Sequence, residues 1–182
     1  MSTTPVTEDT EFVAGTWTVD PSHSEVGFTV RHLMSKVRGQ FEKFEGKLTT
    51  GTTLPETRAT ASIDVSSVTT RDEKRDGHLR SADFFDVENN GPMTFTTSSF
   101  DGNAVSGELT ITGVTKPVQL DVDFLGIGSD PWGGQRIGFE ATGQISRKDW
   151  GIDFNVPLEG DKLMIGDKVT IQLAVEAVRE QN

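Results

Sequence analysis

The chain has 182 residues, a formal net charge of −11, and neither cysteine nor tyrosine. Disulfides, thiolate metal sites and cysteine nucleophiles are thereby excluded. Lys and Arg are scattered singly among acids, so no nucleic acid is expected as a partner. No apolar run approaches the ~20 residues of a spanning helix, so no stable membrane insertion is expected, and the charge total works against attraction to anionic headgroups.

Residues 1–14 are polar, rich in Thr and acids, and carry Pro5. They read as a disordered N-terminal tail ahead of one domain over 15–180. This opening segment has no basic n-region and no apolar stretch, which predicts a cytoplasmic location.

From Gly15 onward the chain alternates between apolar and polar residues with the period of half-buried strands. Val26, Phe28, Val30 and His32 share one face, and Glu25, Thr29 and Arg31 share the other. The same scheme recurs around Phe44 to Leu48, Ala59 to Val65, Met93 and Phe95, and Val105 to Ile111. It returns at Val118 to Phe124, Ile137 to Ile145 and Val169 to Ala177, giving eight strands. Turn chemistry separates several of them, as at Asp101-Gly102-Asn103 and Pro131-Trp132-Gly133-Gly134. Two connections are longer, Ser66 to Gly91 and Arg147 to Gly166, and Asp72 to Ala82 in the first predicts a short helix.

Short links between consecutive strands favour antiparallel neighbours. The expected fold is therefore all-β, an eight-stranded antiparallel up-and-down barrel of lipocalin-like form with short helices in the two long connections. A two-sheet sandwich is the alternative. In a barrel the apolar faces point inward, and eight strands enclose just enough space for side chains or one small ligand. Gly46, Gly107, Gly143, Ala59, Ala61 and Ala141 fall on the inward parity, where small residues leave room or mark bends.

The stretch Arg71 to Val87 (RDEKRDGHLRSADFFDV) gathers charges and aromatics into one connection, where a lid or mouth would sit. Other segments stand out beside it: Trp17-Thr18-Val19-Asp20-Pro21-Ser22-His23-Ser24, Phe28-Thr29-Val30-Arg31-His32-Leu33, Gly39-Gln40-Phe41, Gly113-Val114-Thr115-Lys116-Pro117 and Arg147-Lys148-Asp149-Trp150-Gly151. In that order, from about Gly15 to Val178, the chain resembles the YceI-like family of lipocalin-type, polyisoprenoid-binding proteins. The resemblance implies an eight-stranded barrel with a long apolar channel for a polyprenyl chain, in a protein that pairs as a homodimer. Many relatives carry Phe where this chain has Trp150, and a bulkier indole there would shorten the channel.

An isoprenoid tail gains about 0.8 kcal/mol per buried carbon group, so five units offer roughly 20 kcal/mol gross, near the practical ceiling of affinity. The expected lining is Phe28, Val30, Phe44, Leu48, Ile63, Phe95, Leu109, Ile111, Phe124, Phe139 and Ile145, with Leu79, Phe84, Phe85 and Trp150 closing the ends. His32 continues an inward parity and should emerge at a rim, where Arg75 and His78 would join it on a pyrophosphate or a quinone oxygen. The competing reading pairs Arg75 with Asp76 and Arg80 with Asp83 to pin the connection to the wall, with His78 as a cap.

The expected function is to bind and carry a long-chain isoprenoid lipid, a polyprenyl phosphate or pyrophosphate or an isoprenoid quinone, with no cofactor and no catalysis. Two rivals stand beside it. One is a filled barrel acting as an interaction or stress-response module without ligand. The other is a metal or haem enzyme using His23, His32 or His78, although none of these has ligand spacing.

Overall fold

The computed structural model describes residues 12–160 and 162–181, and the tail expected over residues 1–11 lies outside them. Eleven strand segments form one sheet that closes on itself. They are β1 (Gly15–Val19), β2 (Glu25–His32), β3 (Ser35–Phe41), β4 (Phe44–Thr50), β5 (Arg58–Ile63), β6 (Val68–Thr69), β7 (Met93–Phe100), β8 (Ala104–Ile111), β9 (Val114–Ser129), β10 (Gln135–Ser146) and β11 (Ile165–Arg179).

Six of these segments are halves of interrupted strands. β1 and β2 are split by a 3-10 turn at Pro21–His23, capped by the Asp20 side chain, and both halves pair with β11. β3 and β4 break at Glu42 and Lys43, and pair with β2 and β1 respectively. β5 and β6 are separated by a turn at Val65–Ser67 that Asp64 caps, and they line up against β4 and β3. Eight staves result, each antiparallel to its neighbours in chain order, and the pairing Trp17↔Arg179 joins last to first. Ring closure rules out the sandwich, and only the two-residue β6 is left with a strand partner on one side.

Local chemistry sets the turns. Thr112 and Gly113, both at positive φ, link β8 to β9, and Asp101 Oδ1 accepts from the Asn103 and Ala104 amides between β7 and β8. One helix, α1 (Glu73–Arg80), occupies the first long connection, where Asp72 Oδ1 accepts from the Lys74 and Arg75 amides. The second long connection begins with a 3-10 turn at Arg147–Trp150.

Inside, two apolar groups stack along the axis. Trp17, Leu48, Ile137, Phe139 and Ala177 fill one end, with Phe12, Val122 and Phe124 packed onto them. Phe41, Ile63, Val68, Leu109, Ile111 and Trp150 belong to the other. The tail expectation shortens here. Phe12 packs edge-on to Phe124 at 5.7 Å, Thr50 Oγ1 donates to the Val13 carbonyl at 2.6 Å, and Arg179 donates to the Ala14 carbonyl at 3.0 Å. These contacts tie residues 12–14 to the filled end of the barrel.

On the outer wall beside that end, Arg136 Nη1 donates to Asp20 at 2.9 Å and to Glu176 at 2.8 Å, and its Nε donates to Asp130 at 3.2 Å. Hydrogen bonds from Ser22, Arg136 and His23 hold the Asp20 carboxyl well below the ordinary carboxylate range. A depressed folded-state value gives stability that is complete above the unfolded value, about 3.9, and is lost as pH falls through the folded one. In urea unfolding, the gap between the native protein and Asp20→Asn should therefore hold steady from neutrality to about pH 5 and narrow below about pH 4. A gap that widens with acid would contradict this assignment.

Candidate functional site

The half of the barrel away from Trp17 is hollow. A cavity of about 290 Å³ runs through it, against the roughly 10–15 Å³ that one water needs on the same measure. Its wall is built from the inward parity of the staves, including Val26, Phe28 and Val30 on β2, Phe44 on β4, and Val169, Ile171, Leu173 and Val175 on β11. Across the barrel, Ile63, Phe95, Leu109, Ile111 and Ile145 complete it. Thr70, Arg75, His78, Leu79, Phe84 and Phe85 reach it from the first long connection, and His32, Met164 and Ile165 from the neighbouring rim.

Four residues expected in the lining lie elsewhere. Leu48 and Phe139 are core members of the filled end, and Phe124 packs against them, its ring 5.3 Å from that of Phe139. Their inward parity is as expected, but they sit at the level where the Trp17 indole fills the barrel. Trp150 is buried beneath the rim, its Nε1 donating to the Leu109 carbonyl at 2.9 Å, so the indole props the wall and does not line the cavity.

Of the inward small residues, Gly46 and Ala61 line the cavity, while Gly107 and Gly143 do not add to the space. A Cβ on Gly107 would fall 2.5 Å from the Phe95 ring, and one on Gly143 would fall 2.5 Å from Leu120 Cδ2. Gly39 is covered in the same way by Phe28. Each glycine admits a large neighbour lying flat across the wall, the sheet's way of pairing an aromatic with a residue that has no side chain.

The first connection is pinned by hydrogen bonds to the backbone and to Thr70. Buried Asp76 accepts from the Thr70 amide at 2.8 Å and from its hydroxyl. Arg75 donates to Thr70 Oγ1 and to the Thr70 carbonyl, both at 2.7 Å, and Arg80 donates to the carbonyls of Ser66 and Val68. The Arg75–Asp76 and Arg80–Asp83 ion pairs of the competing reading are thus replaced by bonds to residues 66–70 just before the helix. His78 Nε2 lies 2.8 Å from Asp83, and its ring packs edge-on against Phe84 and Phe154. Arg75 and His78 border the cavity while committed to these partners.

Among the lining residues to which the sequence analysis gave no role, one is a cation. Arg147 is 6% exposed, its Nε donating to the Gly166 carbonyl and its Nη1 to the Ile152 carbonyl, both at 2.9 Å. Its Nη2 is 3.8 Å from Asp167 Oδ1, and both atoms are buried without a hydrogen-bond partner. Burial pushes the guanidinium down, while Asp167 and Asp153 oppose the shift. The apolar wall therefore contains a second fixed cation in addition to Arg75, its Nη2 sealed from solvent and facing Asp167. The signal in the sequence was a lone Arg directly after an apolar strand and ahead of a buried Trp.

The metal reading has one geometric candidate among the described residues, Asp20, His23 and Glu176. It lies outside the cavity, and Arg136 already occupies the position between the two carboxylates.

A family model described as the YceI-like domain matches residues 17–177. A UPF0312 protein of Staphylococcus epidermidis is 42% identical over 160 residues, covering 86% of this chain and 94% of the relative. Among solved structures, Burkholderia cenocepacia BcnA superposes with a TM-score of 0.74 at 23% identity over 87% of this chain and 98% of that one. A polyisoprenoid-binding domain from Saccharophagus degradans superposes with a TM-score of 0.67 at 19% identity, covering 92% of this chain and all of that one (100%). At these identities the two structures speak to the fold.

Proposed function

The chain belongs to the YceI-like domain family, and we propose that its half-filled barrel binds the tail of an isoprenoid lipid and carries it shielded from water. The observation that supports this most is the cavity itself, about 290 Å³ of space walled by aliphatic and phenyl side chains and stopped at one end by the Trp17 cluster. Apolar walls of this kind reward branched hydrocarbon and penalise a polar ligand, whose groups would lose water without replacement. The Saccharophagus domain that shares the fold is itself polyisoprenoid-binding.

The filled end supports entry from the opposite rim. The tail points toward Trp17 and the headgroup remains near the rim formed by His32, the α1 connection and the start of β11. Arg75 and His78 are held by Thr70 and Asp83, which leaves His32 to meet headgroup oxygens, with the buried Arg147 guanidinium as a fixed positive charge in the wall. One ring donor beside a fixed charge suits a phosphate oxygen or a quinone carbonyl.

Organic extraction of the purified protein followed by mass spectrometry tests the reading. An isoprenoid recovered at a substantial fraction of the protein's molar amount is expected. Protein that is empty and stays empty when offered a polyprenyl phosphate or an isoprenoid quinone would favour the ligand-free module.

A further inference from the structure

The rim of the hollow end carries an apolar tip that folding alone does not call for. β2 turns into β3 through Leu33 and Met34. Leu33 has a φ of 55° and is 51% exposed, and Met34 is fully exposed. Two-residue hairpin turns favour Gly, Asn or Asp, because they accept positive φ and solvent alike. A second hairpin lies alongside, with the Leu33 amide donating to the Met164 carbonyl at 2.8 Å and Pro157 bridging to Leu163. It adds exposed Val156, Leu158 and Leu163 to the same tip. His32 and Met164, immediately adjoining, line the cavity.

The charge of the tip opposes that of the molecule. Residues 26–41 contain Arg31, Lys36, Arg38 and no acid, in a chain whose net charge is −11. Arg31 and Lys36 are direct cross-strand partners, and all three cations are exposed. Like charges facing one another across a ladder repel, an arrangement that an external anion would relieve. The sequence of the second hairpin adds Glu159, Asp161 and Lys162, a net charge of −1 against the three cations of the first.

We infer that this tip docks on a lipid bilayer bearing anionic headgroups, with Leu33 and Met34 in the acyl boundary and Arg31, Lys36 and Arg38 at the phosphates. Exposed apolar residues ringed by cations are the chemistry of an interfacial anchor, whose strength grows with buried apolar area and with anionic lipid. A second copy of the chain fits worse, because a symmetric contact would set these cations against themselves. Contact is peripheral and brings the cavity mouth to the membrane surface, so that a hydrocarbon tail can cross between the two without traversing water. The purpose of the tip rests on the carrier reading, while docking itself is measured independently.

Flotation of the full-length protein with vesicles of phosphatidylcholine, alone or with phosphatidylglycerol, tests the inference. Binding is expected to the mixed vesicles and should weaken as salt rises. The double variant Leu33→Gly, Met34→Asn installs a pair that hairpins favour, so it should fold at least as well as the native chain. It should lose at least about tenfold in vesicle affinity while retaining its lipid. Lys36→Glu should weaken binding to the mixed vesicles selectively. The inference is overturned if the native protein ignores both vesicle types, if the double variant floats like the native chain, or if the native protein is a dimer that the double variant dissociates. Lipid extraction from the same samples keeps the two ideas apart, since empty protein that still floats would sink carriage alone.

Discussion

Val30→Trp is expected to remove the lipid from the barrel without unfolding it. Val30 lies on β2 between Val37 of β3 and Val169 of β11, and all three side chains border the cavity. Extra volume in a packed core costs about 1–3 kcal/mol through forced rotamers and backbone shifts. Here the indole enters open space, so its burial should offset much of that strain. Retained lipid per mole of protein should fall at least about tenfold, equivalent to about 1.4 kcal/mol or more of lost affinity. Mass spectrometry of the extract and a thermal melt on the same sample check both halves. A variant that keeps its lipid would put the ligand elsewhere, and one that fails to fold would show that the space around Val30 is already full.

Trp17→Ala should do the reverse. Trp17 is fully buried, and its Nε1 donates to Thr50 Oγ1 at 2.9 Å. The loss combines a large apolar burial, a cavity that the stiff wall cannot collapse to fill, and one hydrogen bond, about 3–5 kcal/mol together. For a domain of this size the melting temperature should drop by roughly 10 °C. The fraction that remains folded should still hold lipid, because the indole lies beyond the lining. A shift of only a degree or two would mean that the filled end is not the structural half of the barrel.

Much of the wall was legible because strand parity is local. The inward sets on β2, β4, β5 and β11 follow from alternation alone, and the helix expected over Asp72 to Ala82 matches α1 to within about two residues. β1 and β3 were harder to see. Five residues and a Gly39-containing heptad carry little alternation, and these halves become strands only by continuing staves that already exist. Which end of the barrel is full could not be read at all. Phe139 and Phe95 share the inward parity, yet one packs in the stopper and the other faces space, a difference set by register against Trp17. Parity alone could not decide between room and bend at the inward glycines, since only the cross-wall positions of Phe95 and Leu120 show that the space at Gly107 and Gly143 is taken, while Gly46 lines the cavity. For Arg147 the sequence offered only the faint signal of a lone Arg after an apolar strand, because a guanidinium at the end of a strand is ordinarily solvated.

The pairing of Trp17 with Arg179 carries a consequence for biogenesis. The first stave pairs early with β3 and β4 along one edge, but its other edge finds a partner only after nearly the whole polypeptide has left the ribosome, since β11 must fit between it and β10. Until then β1, β2 and β10 expose unpaired amides and carbonyls beside a half-formed oily trough, the kind of surface on which nascent chains stick to one another. So distant a contact also makes the closing step slow by topology rather than by any chemical barrier. During that interval the open trough is the largest access route that hydrocarbon has to the interior, so a lipid present at synthesis could be enclosed as the last strand zips shut.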